Sequence, residues 1–156
     1  MSILQSIKYR WEGTPLAQSD IVHVRMLENE TFLKFEIDAP YYEDPAPSGP
    51  PSSTWGLWDY EVVEVFLVGK DGQYLEAEFG PHGHHLMLWL SSPRTIEKKH
   101  LPVQYTAKIH QNRWKGLAQI SQLILPSDIV RWNLFSIHGL GDKRQYQCMF
   151  PLGTPK

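Results

Sequence analysis

The chain has 156 residues, 42% of them hydrophobic and 21% charged, with a formal net charge of −2. That length and balance describe one domain, residues 1–156, large enough for a core of its own. The charge leaves no basic footprint and no apolar run nears the roughly 20 residues that span a bilayer, so nucleic acid and membrane are excluded as expected partners.

At the start, Met1-Ser2-Ile3-Leu4 has neither a charged n-region nor a cleavable apolar stretch, so no signal peptide is expected. β-Branched and aromatic runs predict strands near 3–11, 21–27 and 32–38, the last two separated by the turn Glu28-Asn29-Glu30. A long irregular stretch follows at 39–56. Its prolines, Pro40, Pro45, Pro47, Pro50 and Pro51, exclude helix and interior strand. Such a loop is either a solvated linker between sheets or a binding loop. Further strands are expected near 59–68, 73–79, 85–90, 103–110, 114–121, 132–138 and 144–150, divided by Gly-, Pro- and Asn-containing turns. Many short strands and no sustained helical period predict an all-β fold, a β-sandwich of two mainly antiparallel sheets. The single cysteine, Cys148, precludes an internal disulfide and fits a reducing, cytoplasmic setting.

The middle strands can be placed in register. Lys70-Asp71-Gly72 suits a three-residue hairpin with Gly72 in the left-handed position, which sets Val68 opposite Tyr74, Phe66 opposite Glu76 and Glu64 opposite Glu78. Val63, Val65, Leu67, Leu75, Ala77 and Phe79 then share a core face, whereas a one-residue slip would put acids among them. In the next strand Leu86, Leu88 and Leu90 are expected to face that core, leaving His85, Met87 and Trp89 on the other side. The non-core face thus gathers Tyr60, Glu64, Phe66, Tyr74, Glu76, Glu78, His85, Met87 and Trp89. Rings interleaved with carboxylates suit a small polar ligand, most naturally a sugar: rings cover its C–H faces and acids accept from its hydroxyls. Facing carboxylates at Glu64 and Glu78 repel, so a cation, a hydroxyl-rich ligand or a basic side chain such as Arg144 or Lys143 has to offset them.

The run Leu57-Trp58-Asp59-Tyr60-Glu61-Val62-Val63-Glu64-Val65-Phe66 resembles the motif of family 9 carbohydrate-binding modules and of the DOMON-like, jelly-roll-type sandwiches related to them. That resemblance implies that Trp58 stacks on a sugar ring and that Glu64, six positions on, bonds its hydroxyls. The second clamping Trp of those modules has no counterpart in the stretch after His138, so Tyr146, or Trp89 from elsewhere in the chain, would have to substitute, and their acidic calcium-binding loops have no clear counterpart. The pieces Pro81-His82-Gly83-His84-His85-Leu86, Trp114-Lys115-Gly116, Ile137-His138-Gly139 and Asp142-Lys143-Arg144-Gln145-Tyr146 resemble more specifically an uncharacterised family named for a human chromosome 4 open reading frame. That likeness covers most of the chain and implies no activity.

The leading expectation is a non-catalytic binding module whose ligand meets Trp58, Glu64, Tyr74, Glu76, Glu78, His85, Trp89, His138 and Arg144. A second reading is a metal-assisted hydrolase, with His82, His85 and His138 as zinc ligands beside Glu76 or Glu78; no HExxH or paired-cysteine spacing supports it. Paired carboxylates could alternatively hydrolyse a glycoside. A third reading is a scaffold whose exposed aromatics meet a protein partner. No cofactor is expected, zinc and calcium being the weak alternatives. Haem held by Met and His is disfavoured because acids spoil an apolar pocket.

Overall fold

A computed structural model describes residues 1–151 of the chain. Twelve strands run in order: β1 (Ser2–Ile7), β2 (Tyr9–Arg10), β3 (Val22–Glu28), β4 (Phe32–Pro40), β5 (Val62–Gly69), β6 (Tyr74–Phe79), β7 (His85–Ser92), β8 (Thr95–Lys99), β9 (Gln104–His110), β10 (Arg113–Ser121), β11 (Ile129–His138) and β12 (Gln145–Cys148). They form a five-stranded sheet, β1-β3-β4-β10-β9, and a seven-stranded sheet, β2-β12-β11-β5-β6-β7-β8. Every strand pairing within the sheets is antiparallel. The expected all-β sandwich is therefore the fold. No helix among the described residues is long and apolar enough to cross a membrane.

The interior follows from period-two alternation. Val24, Phe35 and Ile37 of the smaller sheet and Val63, Val65, Leu67, Leu75, Ala77 and Phe79 of the larger one are all essentially buried. Trp114 closes the same core, and Phe35 meets Phe79 with ring centroids 6.3 Å apart. The β5–β6 register is the expected one: Val68 pairs with Tyr74, Phe66 with Glu76 and Glu64 with Glu78. The hairpin turn explains why. Gly72 sits at φ +86°, where a side chain would be strained. Its N–H donates to Gly69 O, while the Asp71 carboxylate accepts from Gln73 N.

Three elements differ from expectation. The 3–11 segment breaks into β1 and β2, which join different sheets. The segment at 59–68 starts as strand only at Val62, because Leu57–Asp59 makes a 3-10 turn after Gly56. Strand β8 was not expected at all. Its five residues are all exposed, so they carry no apolar alternation to mark them.

The main correction concerns β7. Phe79 pairs with His85, Ala77 with Met87 and Leu75 with Trp89, so these three face the inter-sheet core. Leu86, Leu88 and Leu90 lie on the outer face instead, across from Glu78, Glu76 and Tyr74. The five-residue connection 80–84, closed by Gly80 N donating to His84 O, sets that parity. The larger sheet consequently has a second apolar cluster on its outer side: Leu57, Val62, Leu86, Leu88, Leu90 and Ile137, with Trp58, Tyr60 and Tyr74 packed against it. Burying each leucine there contributes roughly 1.5–3 kcal/mol.

Candidate functional site

The outer face of the larger sheet is where chemistry collects. Alternation brings Glu64 and Phe66 of β5, Tyr74, Glu76 and Glu78 of β6, and Phe135 and Ile137 of β11 to this side. Phe66 meets Phe135 edge-on at 5.3 Å and Tyr74 at 6.1 Å, forming an aromatic margin beside the acids.

Trp58 arrives from the Pro-rich loop. Leu57 is fully buried in the outer cluster and pins the 3-10 turn, leaving Trp58 half-buried above it. The Trp58 indole meets Trp55 edge-on at 5.0 Å. Trp55 is 49% exposed, and the Lys99 ammonium lies 4.9 Å over its ring. Lys99 comes from the unexpected strand β8, so only the pairing Leu88↔Lys99 could have revealed it at this margin. Arg144 secures the turn from below: its guanidinium donates to the carbonyls of Trp58, Tyr60 and Gly139.

The loop itself is a strap stitched across the sheet end. Thr54 N donates to His85 O and His85 N to Ser52 O. The Glu61 carboxylate accepts from Tyr42 N at 3.0 Å and Asp44 N at 3.2 Å, while Asp44 accepts from Gly139 N at 2.7 Å. Tyr42 stacks on His138, centroids 3.5 Å apart and planes 9° from parallel. Burial pushes Glu61 up to about 7 and His138 down to about 4.

Three carboxylates converge at the middle of the face. Glu64, Glu76 and Glu78 each place an oxygen within 4.8 Å of the other two. Glu78 is wholly inaccessible, with no hydrogen-bond partner outside the triad, and Glu64 is 7% exposed. The ion pairs among the described residues, Arg25–Glu36 and Arg113–Asp38, lie elsewhere, so neither Arg144 nor Lys143 neutralises the acids by contact. Burial, then the Glu64 charge, drives the Glu78 carboxyl far above its ordinary range. Burial raises Glu64 and Glu76 as well; the Glu76 charge adds to the rise at Glu64, and the nearby Arg144 charge offsets part of it.

Of the expected ligand residues, the sheet brings Trp58, Glu64, Tyr74, Glu76 and Glu78 to one face. Arg144 lies beneath the Trp58 turn. His85, Trp89 and His138 are on the opposite side of the sheet, a correction that follows from β7 parity and from the pairing of β11. His85 Nδ1 donates to Gly83 O and its ring lies edge-on to Tyr105. Trp89 donates to Gln73, and His138 bonds Gln147. The suggested zinc set also fails to form: His82 approaches Tyr41, and the only close group of three or more metal-ligating side chains among the described residues is the glutamate triad.

No protein-family model matches the chain. Its relatives are nevertheless plain. A UPF0462 protein C4orf33 homolog of Rattus norvegicus is 39% identical over 153 residues, covering 96% of this chain and 76% of the relative. The chain belongs to the UPF0462 family. The UPF0462 protein C4orf33 of Homo sapiens is 37% identical over 149 residues, covering 94% of this chain and 74% of the relative. Among solved structures, a putative carbohydrate-binding protein from Bacteroides uniformis superposes with a TM-score of 0.73 at 10% identity, covering 99% of this chain and 79% of the other. A family 9 carbohydrate-binding module from Caldicellulosiruptor kristjanssonii, in complex with cellotriose, gives a TM-score of 0.54 at 10% identity, covering 83% and 65%. The structure with glucose gives 0.53 at 9% identity. Such identities establish a shared fold. Both resemblances read from the motifs are thus supported: the UPF0462 one by sequence and the sugar-module one by architecture.

Proposed function

We propose that this UPF0462 protein is a non-catalytic binding module for a small carbohydrate, held on the outer face of the seven-stranded sheet. Trp58 stacks on the sugar ring, Glu64 and Glu76 accept from its hydroxyls, and Tyr74 and Phe66 border it. Arg144 acts as a positioning residue, since its donors are used to hold the turn that carries Trp58. The observation that carries this reading is three converging carboxylates, paired with no described basic side chain, on the same outer face whose apolar cluster the half-buried Trp58 packs against. The fold shared with solved proteins named for carbohydrate binding supports the choice of ligand class. Trp58 and Glu64 also stand at the six-residue spacing of the family 9 motif.

The test is titration with glucose, cello-oligosaccharides and a glycan array, following tryptophan fluorescence. Saturable binding that Trp58→Ala abolishes and Glu64→Gln weakens is the expected result. Binding unaffected by both substitutions would place the ligand elsewhere.

A further inference from the structure

We propose that Glu64, Glu76 and Glu78 form a binding site for one hard divalent cation of the calcium class. The inference goes beyond sugar recognition and needs no sugar to hold. It starts from strand geometry. Glu64 and Glu78 are directly paired across β5 and β6, and Glu76 lies two residues from Glu78 on the same face, so the three side chains rise together.

The distances suit an ion. Oxygens no more than 4.8 Å apart lie at most about 2.8 Å from a common centre, and small side-chain shifts reach the 2.3–2.6 Å of calcium–oxygen bonds. All three donors are carboxylates, which favours calcium, magnesium or manganese over softer metals. Calcium suits the site best, because it accepts irregular geometry and bidentate carboxylates, whereas magnesium demands a near-ideal octahedron and keeps its water.

Independently of the clustering, Glu78 has the mark of a missing ligand. It is fully buried, and its oxygens find no hydrogen-bond partner outside the triad itself, only the neighbouring Glu64 and Glu76 carboxyls. A buried polar group left this way is costly and in native proteins is normally satisfied. On the β7 side it meets only leucines, Leu86 directly opposite and Leu88 beyond it, so no donor reaches it from there. An ion at the triad would satisfy Glu78. Its two positive charges, with the Arg144 charge close enough to act on Glu64, would also balance three carboxylates. Glu76 is only half-buried, so water or a ligand hydroxyl can complete the coordination shell from that side.

The test uses the full chain freed of metal by chelating resin, with calcium chloride and then magnesium chloride added in isothermal titration and thermal melts, and no sugar present. One calcium per chain, a raised melting temperature and weaker magnesium binding are expected. Glu78→Gln and Glu76→Gln should each weaken calcium binding by more than about a hundredfold, since even outer-shell partners of metals are worth 10–100-fold; Glu30→Gln, in a distant exposed turn, should not. Glu76 is only half-buried, so the result at Glu76→Gln stands even if the variant at 78 folds poorly. Absence of saturable calcium binding, or binding that survives both triad substitutions, overturns the proposal. Either result leaves the sugar titration to be judged by itself.

Discussion

In metal-free protein, replacing Glu78 with glutamine should raise stability. Glu78 is buried on the outer face with no hydrogen-bond partner outside the triad and faces Glu64 across the strand pair. Without an ion it must stay protonated at neutral pH, because burial and the Glu64 charge lift its pKa far above the reference of 4.5. The native state therefore keeps a proton that the unfolded chain releases above pH 4.5, and stability falls as pH rises. The slope is about 1.4 kcal/mol per pH unit, so between pH 4.5 and pH 7 the loss is about 3 kcal/mol. Glutamine fills the same volume and needs no proton, so Glu78→Gln should recover most of that amount at pH 7 and almost none at pH 4.5. Urea unfolding in chelator, at both pH values, is the assay. A variant less stable than wild type at pH 7, or equally stabilised at both pH values, would refute the reasoning. Saturating calcium should reverse the sign, since only wild type would gain from the ion.

The strap over the sheet end carries two opposed titrations. His138, depressed to about 4, contributes stability that is full above pH 6.5 and lost as pH falls toward 4. Glu61, raised to about 7, makes stability fall as pH rises from 4.5 to 7. The two oppose each other, so relative to the wild-type pH profile His138→Asn should gain stability on acidification and Glu61→Gln should lose it, both measurable as differences in unfolding midpoint between pH 4.5 and 7. At the β5–β6 turn, Gly72→Ala should cost about 1–2 kcal/mol, because alanine at φ +86° is strained; a neutral result by chemical denaturation would show that the turn can relax. Phe35→Ala, at a fully buried ring against Phe79, should cost about 3–5 kcal/mol.

Much of the architecture was legible because local signals agreed. The Lys70-Asp71-Gly72 turn, the valine and leucine alternation and the awkwardness of burying acids in the core all selected the observed β5–β6 register. For β7 the signals conflicted: both parities are apolar, Leu86, Leu88 and Leu90 on one side and Met87 and Trp89 on the other. The leucines looked like core, yet the length of the 80–84 connection decides the parity and sends them to a second apolar layer. That one inversion removed His85 and Trp89 from the candidate face. His138 left it for a related reason, since its parity on β11 matches Ser136 and Leu134 on the inner side. Strand β8, with Lys99 at the margin, could not be read because all of its residues are exposed and patternless. The work of Arg144 was hidden too, as it bonds backbone carbonyls, which carry no side-chain signature.

The most direct test of ligand binding on the outer face is a sugar titration of wild type, Trp58→Ala and a control, Trp11→Ala, whose ring is exposed far from the acids in sequence. The expected result is saturable binding in wild type and the control and none in Trp58→Ala. Equal binding in all three, or none in any across a broad glycan panel, would contradict it.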